Sequence, residues 1–248
     1  MILAEHTPVV VAGGASGLGS AVTAYFRSKN VPVGVLDVQA PDAGGDYVQC
    51  DVTDASSVAN ALAVIRKTNG QERVCVNCAG IAPAAKTVSR GAAHDAGLFA
   101  NVINVNLIGT FNVAAQAALG MSVTDPVNED GERGVIINTA SVAGQEGQIG
   151  QAAYAATKGA IIGSTICLAR DLASLGIRVN TIAPGLIHTP LFDALPENVY
   201  QSLEASVLYP QRLGKPSEIA HLAQYLVENN YMNGECVRMD GGIRMQPR

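Results

Sequence analysis

The sequence predicts a doubly wound α/β fold, a parallel seven-stranded sheet with helices on both faces. Three observations predict it. Short β-branched runs alternate with longer helical patterns along the whole chain. The strand candidates read as unbroken apolar runs, which burial on both faces of a sheet demands. The first strand candidate leads straight into a glycine-rich turn and then a helix.

Taken in order, Pro8–Ala12 carries Val9-Val10-Val11 and opens the sheet, followed by Gly13-Gly14-Ala15-Ser16-Gly17-Leu18-Gly19 and a helix over Leu18–Ser28. Val33–Leu36 is the second strand and Tyr47–Cys50 the third. A helix over Ser56–Lys67 sets Val58, Leu62 and Ile65 at i, i+4 and i+7, one stripe to face a sheet. Val74–Asn77 and Val135–Thr139 are strands, each followed by a long helix, over Leu98–Leu119 and Ala152–Leu175. Arg178–Ile182, a helix over Ser217–Glu228 and the strand Glu235–Met239 complete the pattern. Such alternation builds right-handed βαβ units. Three segments break the rhythm: the polar, Gly/Ala-rich Ala82–Gly97, the charged Ser122–Gly134, and Leu186–Pro216 with its four prolines. The first two read as surface insertions and the third as a substrate lid, since long loops in compact domains tend to be functional.

Bulk properties bound the function. With 248 residues, 48% hydrophobic and 15% charged, the chain reads as one packed domain over 1–248 rather than a disordered one. The net charge is −5 and the basic residues are scattered, which argues against a nucleic-acid surface. No unbroken apolar run reaches the about 18 residues of a membrane span, so no membrane role is expected. The first strand starts so close to Met1 that no targeting peptide is expected, and a cytoplasmic location follows. Five cysteines fit reduced thiols in a reducing compartment. Cys75 and Cys78 form a CxxC spacing, open to reading as a redox pair or half a zinc site, but both fall in or just after an apolar strand and no second CxxC follows. The four histidines show no metal-ligand spacing, so no metal is expected.

The turn Gly13-x-x-x-Gly17-x-Gly19 lets backbone approach a pyrophosphate, and the helix N-terminus behind it offers free N–H groups. Asp37, closing the second strand, is placed to accept hydrogen bonds from adenosine ribose hydroxyls. A 2′-phosphate would meet like charge there, and no Arg or Lys stands at Ala15, Ser16, Val38 or Gln39 to receive it. NAD is therefore expected over NADP. Asp51 follows the third strand in the same way, as an adenine-side residue or as a capping residue.

Tyr154 and Lys158 stand four apart in a helical segment and share one face. An ammonium beside a phenol favours the phenolate and lowers its pKa from about 10, and a tyrosine so tuned exchanges protons with an alcohol. Ser141 lies just past the fifth strand, at the carboxyl edge where open α/β sheets bind ligands.

Together, Gly13-x-x-x-Gly17-x-Gly19, Asn77-Cys78-Ala79-Gly80, Asn106-Leu-Ile-Gly109, Ser141, Tyr154-x-x-x-Lys158 and Pro184-Gly185 resemble the short-chain dehydrogenase/reductase family along essentially the full chain, and so a Rossmann fold. The resemblance implies that Tyr154 is the general acid/base and that Lys158 binds the nicotinamide ribose and lowers the tyrosine pKa. It implies that Ser141 holds the substrate oxygen and Asn106 orders a water in a proton relay. It implies an NAD site of Gly13, Ser16, Gly17, Leu18, Gly19, Asp37, Asp51, Val52, Cys78, Ala79, Gly80, Tyr154, Lys158, Pro184, Gly185, Leu186, Ile187 and Thr189, the last bonding the carboxamide. Within the family the chain is similar to members that oxidise short-chain 3-hydroxyacyl-CoA and steroids, where Gln148 and Gln151 face the substrate. Small-alcohol dehydrogenase and 3-oxoacyl carrier-protein reductase are the alternatives. A nucleotide-sensing scaffold without turnover would have lost part of the Asn106–Ser141–Tyr154–Lys158 set. The family implies a homotetramer formed through the helices that carry Asn106 and Tyr154. Ala12 replaces the family's usual threonine, and the two insertions leave the chain-length preference open. Lys86, Arg90, Arg212 and Lys215 read either as partners for the phosphates of CoA or as solvated charges.

Overall fold

In a computed structural model, described for residues 1–39, 46–189, 192 and 196–247, the strands are β1 (Val9–Ala12), β2 (Val33–Asp37), β3 (Tyr47–Gln49), β4 (Val74–Asn77), β5 (Val88–Ser89), β6 (Ala92–Ala93), β7 (Gly134–Thr139), β8 (Ile177–Pro184) and β9 (Cys236–Met239). The helices are α1 (Gly17–Arg27), α2 (Ala55–Asn69), α3 (Ala96–Ile103), α4 (Gly109–Ser122), α5 (Ala152–Leu172), α6 (Glu197–Ser206) and α7 (Pro216–Glu228). Seven strands form one parallel sheet in the order β3-β2-β1-β4-β7-β8-β9.

Register matters more than order for the site. Ala12 pairs with Leu36 and with Asn77, Asn77 with Asn138, Thr139 with Ile182, and Pro184 with Met239. The carboxyl ends of the strands therefore lie along one edge. Gly13, Asp37, Cys78, Ser141 and Gly185 all leave the sheet there. The chain winds outward from β1 to β3 and then returns to β4 on β1's other side, so the strand order reverses between β1 and β4. A crevice opens at that point in such sheets.

The core lies on both faces of the sheet. Val22 and Phe26 of α1 and Ile219 and Leu226 of α7 cover one face, packed on Val9, Val11, Val76 and Ile137. On the other, the expected stripe Val58, Leu62 and Ile65 meets Val10, Leu36, Cys75 and Ile136, with Val113 and Met121 of α4. Cys75 is packed in the second layer and Cys78 against the first, so the CxxC cysteines point to opposite sides of the sheet and form no pair.

The sequence reading needs four corrections. The helix expected over Leu98–Leu119 runs Ala96–Ser122 and is broken by a π turn at Asn104–Ile108. Its hydropathy, and that of Ala152–Leu175, is high enough for each to cross a membrane by length and composition, although each lays one face on the protein core. Asparagines interrupt the apolar run of the first, which is why counting unbroken apolar residues missed it. Ala82–Gly97 is not plain connection: Val88–Ser89 and Ala92–Ala93 pair as an antiparallel ribbon whose turn holds Arg90 at φ 51°. Leu186–Pro216 contains α6, and its two ends are zipped together by Gly214 N–H to Leu186 O (2.9 Å) and His188 N–H to Gly214 O (2.8 Å). Residues 190, 191 and 193–195 of the expected lid lie outside the described residues.

One buried ion pair ties the sheet to a helix end. Arg178 at the start of β8 donates from Nε (3.0 Å) and Nη2 (2.8 Å) to Glu132 Oε1, and also to the carbonyls of Leu226, Val227 and Met232, which closes the last turn of α7. Glu132 Oε2 also pairs with the N-terminal ammonium of Met1 at 2.6 Å, so removing Arg178 leaves the carboxylate with one of its two buried cations while three carbonyls lose their donor. Arg178→Leu is therefore expected to lower unfolding free energy by about 3–5 kcal/mol, read by denaturant melts. A loss near that of a surface pair, about 0–1 kcal/mol, would contradict this.

Candidate active site

The glycine turn builds the first half of the site. Gly13 leaves β1 at φ +72°, and a Cβ there would stand 2.5 Å from the Ala79 nitrogen. A Cβ on Gly19 would stand 2.1 Å from Gly13 O. Only glycine lets the turn, the start of α1 and the chain after β4 come this close. The Ser16 side chain does not cap α1, and the first turn of the helix carries no acidic residue. The N-terminal N–H groups of α1 are thus left for an anion.

Asp37 ends β2 facing that turn. Its Oδ2 accepts from Ala15 N–H and its Oδ1 from Gln39 N–H, each at 3.0 Å. Carboxylate oxygens retain further acceptor capacity after one bond each. A cleft of about 350 Å³ runs past Gly13, Ser16, Gly17, Leu18, Asp37, Val52, Cys78, Ala79 and Gly80. Its glycine floor, open helix terminus and carboxylate fit a dinucleotide. Asp51 behaves otherwise: its Oδ1 accepts from the Thr53 N–H (2.9 Å) and hydroxyl (2.7 Å), a local turn, while Asp54 caps α2.

The second half starts from the π turn. One extra residue in the turn carries Gly109 N–H back to Asn104 O and swings Asn106 inward, where it is fully buried. Its Oδ1 accepts from Ile81 N–H (2.8 Å), and its Nδ2 donates to Ile81 O (2.9 Å) and to Thr157 Oγ1 (3.3 Å). The side-chain amide is thus engaged on both sides by protein, so Asn106 holds the chain after β4 in place. Its own carbonyl accepts from Thr110 Oγ1 at 2.7 Å.

Ser141 begins the short 3₁₀ turn after β7, with Ala143 N–H donating to its Oγ at 3.1 Å. Lys158 and Tyr154 share a face of α5, the ammonium 5.6 Å from the phenol ring centroid. Lys158 Nζ donates to Thr139 O at 2.7 Å and is buried. Desolvation pulls its pKa down to about 8. Tyr154 moves the other way: burial raises its phenol above the ordinary value, and a hydrogen bond with Ser141 lowers it in part. The expected lowering by Lys158 is therefore absent in the protein alone. The ring is buried deeply enough for desolvation to outweigh its neighbours. Burial also raises the Cys78 thiol to about 11, which leaves it a neutral wall residue.

A second cavity of about 360 Å³ holds Ser141, Tyr154 and Lys158 together with Gln148, Gln151, Pro184, Gly185, Leu186, Ile187 and Thr189. It shares Leu18, Cys78, Gly80 and Ile81 with the first cleft, so the two run on from one another. Gln148 Nε2 donates to Gln246 O (3.0 Å), and Gln151 Oε1 accepts from Gln148 N–H (3.0 Å). Sequence reasoning missed Ile81, Ala82, Phe192 and Met245 as wall residues. It also missed Thr139, which acts through a backbone carbonyl and so leaves no side-chain signal. Arg212, expected as a possible anion partner, forms a bidentate pair with Glu218 (2.7 and 3.0 Å) and is committed to the base of the lid segment.

The comparisons agree with this geometry. A family profile described as Enoyl-(Acyl carrier protein) reductase matches residues 13–244. The human 3-hydroxyacyl-CoA dehydrogenase type-2 is 48% identical over 96% of this chain and 95% of its own. The 3-oxoacyl-(acyl-carrier-protein) reductase of Thermotoga maritima is 34% identical over 96% of this chain and 98% of its own. The crystal structure of 3-hydroxyacyl-CoA dehydrogenase type-2 from Mycobacterium avium superposes with a TM-score of 0.92 at 40% identity, covering 98% of both chains. With a nicotinamide-dinucleotide cleft opening into a Ser–Tyr–Lys cavity, and with relatives that match nearly end to end, the chain is an oxidoreductase that belongs to the short-chain dehydrogenase/reductase family.

Proposed function

We propose that the protein interconverts a secondary alcohol and a ketone with NAD, and that its substrate is a short-chain 3-hydroxyacyl-CoA. One observation carries the reading: Ser141, Tyr154 and Lys158 converge in a cavity continuous with the glycine-turn cleft. A bound nicotinamide supplies the hydride donor or acceptor and, when oxidised, a positive charge. The chain supplies the rest. Ser141 Oγ holds the reacting oxygen, and Tyr154 Oη exchanges its proton. A phenol raised by burial stays protonated at neutral pH, ready to protonate the oxygen of a ketone under reduction. Lys158, with its pKa near 8, is mostly an ammonium at pH 7 and favours the phenolate of the reverse direction.

Asp37 supports NAD over NADP, since a carboxylate lining the glycine-turn cleft would repel a 2′-phosphate and neither Val38 nor Gln39 beside it offers a cation. The acyl-CoA part rests on the relatives' names and on Lys86. That residue lies in a groove with Gln148 and Gln151, which also line the catalytic cavity. Exposed Phe111, Leu119 and Ile166 on α4 and α5 support assembly as a homotetramer, and the five free thiols support a reducing, cytoplasmic setting. Steady-state rates with NAD and NADP on acyl-CoA, steroid and simple alcohol substrates test the whole reading. Good turnover of a steroid or small alcohol with none of any acyl-CoA would favour the alternative dehydrogenase.

Tyr154→Phe is expected to lower kcat by about 10²–10⁴-fold or more while NAD affinity, measured by titration, is kept. More than a tenth of normal kcat would remove Tyr154 from the chemistry. Replacing Asp37 with Ala is expected to weaken NAD binding and raise the relative kcat/KM for NADP, because the repulsion of a 2′-phosphate disappears. Equal use of both cofactors by the unmodified protein would speak against that role. Neutralising Lys86 and Arg90 together should raise KM for acetoacetyl-CoA but not for an uncharged ketone. Equal effects on both would show the two cations to be ordinary solvated charges.

A further inference from the structure

The end of the chain is built into the wall of the catalytic cavity. After β9 the backbone turns at Gly241 and Gly242, at φ +61° and +81°, and runs back over the loop that follows the Ser141 turn. Two carboxylates and two guanidiniums fasten it there. Arg238 donates through Nη1 and Nη2 to the two oxygens of Glu146, each at 2.9 Å, and through Nε to Asp240 Oδ2 at 2.5 Å. Arg244 reaches both carboxylates, Asp240 at 3.3 Å and Glu146 at 3.5 Å. The backbone then follows the loop: Met245 N–H donates to Glu146 Oε2 (2.9 Å), Gln148 Nε2 donates to Gln246 O (3.0 Å), and Ile149 N–H donates to Pro247 O (3.0 Å). The Arg238 and Met245 bonds hold the Glu146 carboxyl down to about pKa 2, so the clamp stays charged at any working pH.

This clamp delivers one side chain to the site. Met245 lines the same cavity as Ser141, Tyr154, Gln148 and Gln151. We propose that Met245 is a specificity-determining residue that limits the length of the substrate chain beyond the reacting carbon, and that Glu146 is the positioning residue that holds it there. The proposal rests on the alcohol–ketone reading above. An unbranched thioether is a flexible filler of apolar space, and a hydrophobic wall discriminates by about 10-fold or more for each methylene it excludes.

The test uses the whole protein and a homologous series of 3-oxoacyl thioesters or, in parallel, neutral 2-ketones of increasing length. Met245→Ala is expected to raise kcat/KM for members two or three methylenes longer, relative to the shortest, by about tenfold or more. Glu146→Gln is expected to raise KM across the series by more than it lowers kcat, and to speed hydrogen exchange at the Met245 amide. A change of equal factor at every chain length in Met245→Ala, with activity retained, overturns the specificity role and leaves the reaction assignment standing. Unchanged exchange at Met245 in Glu146→Gln overturns the clamp. Absence of turnover by the unmodified protein on every alcohol and ketone overturns the reaction assignment and this inference together.

Discussion

The Asn106 side chain is the bond on which the rest of the site depends. Ile81 has left the sheet, so its N–H and C=O have no strand to pair with, yet the segment lies under both cavities. A buried backbone group without a partner costs about as much as a lost hydrogen bond. Asn106 satisfies both groups of Ile81 at once and then reaches Thr157 on α5. Three elements are thereby locked: the chain after β4, the broken helix and the helix that carries Tyr154 and Lys158. An ordinary α-turn would put this position in a different direction. The π turn supplies the change of direction, at the cost of less regular hydrogen bonding.

That lock explains why the two cavities share a wall. Cys78, Gly80 and Ile81 line both, and Gly80 has room for the Asn106 amide because a Cβ there would sit 3.2 Å from its Oδ1. This stretch of backbone is thus a wall common to the two cavities, along which they run on from one another. Asparagine suits the position because it offers a donor and an acceptor in one planar group. Aspartate would meet the Ile81 carbonyl as a second acceptor, and leucine would leave both groups of Ile81 unpaired.

Much of this was legible in the sequence, and what was missed has a common cause. The alternation of strands and helices, the stripe Val58–Leu62–Ile65 and the glycine turn all express local periodicity or backbone need, which a single sequence carries. Ser141, Tyr154 and Lys158 were legible because their chemistry is in the side chain. The π turn was not, because it differs from an α-helix by one residue of hydrogen-bond offset and the Asn-Val-Asn-Leu-Ile run has no distinguishing composition. The ribbon at Val88–Ala93 is too short to show alternation. Thr139 contributes only a carbonyl, and Met245 enters the site through a long-range clamp, 99 residues from Glu146. Asp51 was open between two roles; the capping one falls to Asp54, and the local bonds with Thr53 use only the Oδ1 of Asp51.

The electrostatics of α5 show why the tyrosine alone reads in the unexpected direction. Lys158 is buried, yet its ammonium donates to a neutral carbonyl, and no carboxylate is among the groups that shift it. A carboxylate partner would have raised the lysine and neutralised its field. With only Thr139 O, desolvation leaves an ammonium that is nearly titratable and still poorly compensated. The negative charge that would complement it is the phenolate of Tyr154, one helical turn away, which burial otherwise disfavours. The two groups are therefore each destabilised in the charged form by the same desolvation, and each is the natural counter-charge of the other. Proton transfer from the phenol creates the ion pair, and proton return abolishes it. At rest such a site carries the ammonium without its counter-charge, and under the proposed reaction the phenolate that completes the pair forms only as the proton moves, the moment at which stabilisation lowers a barrier rather than a ground state.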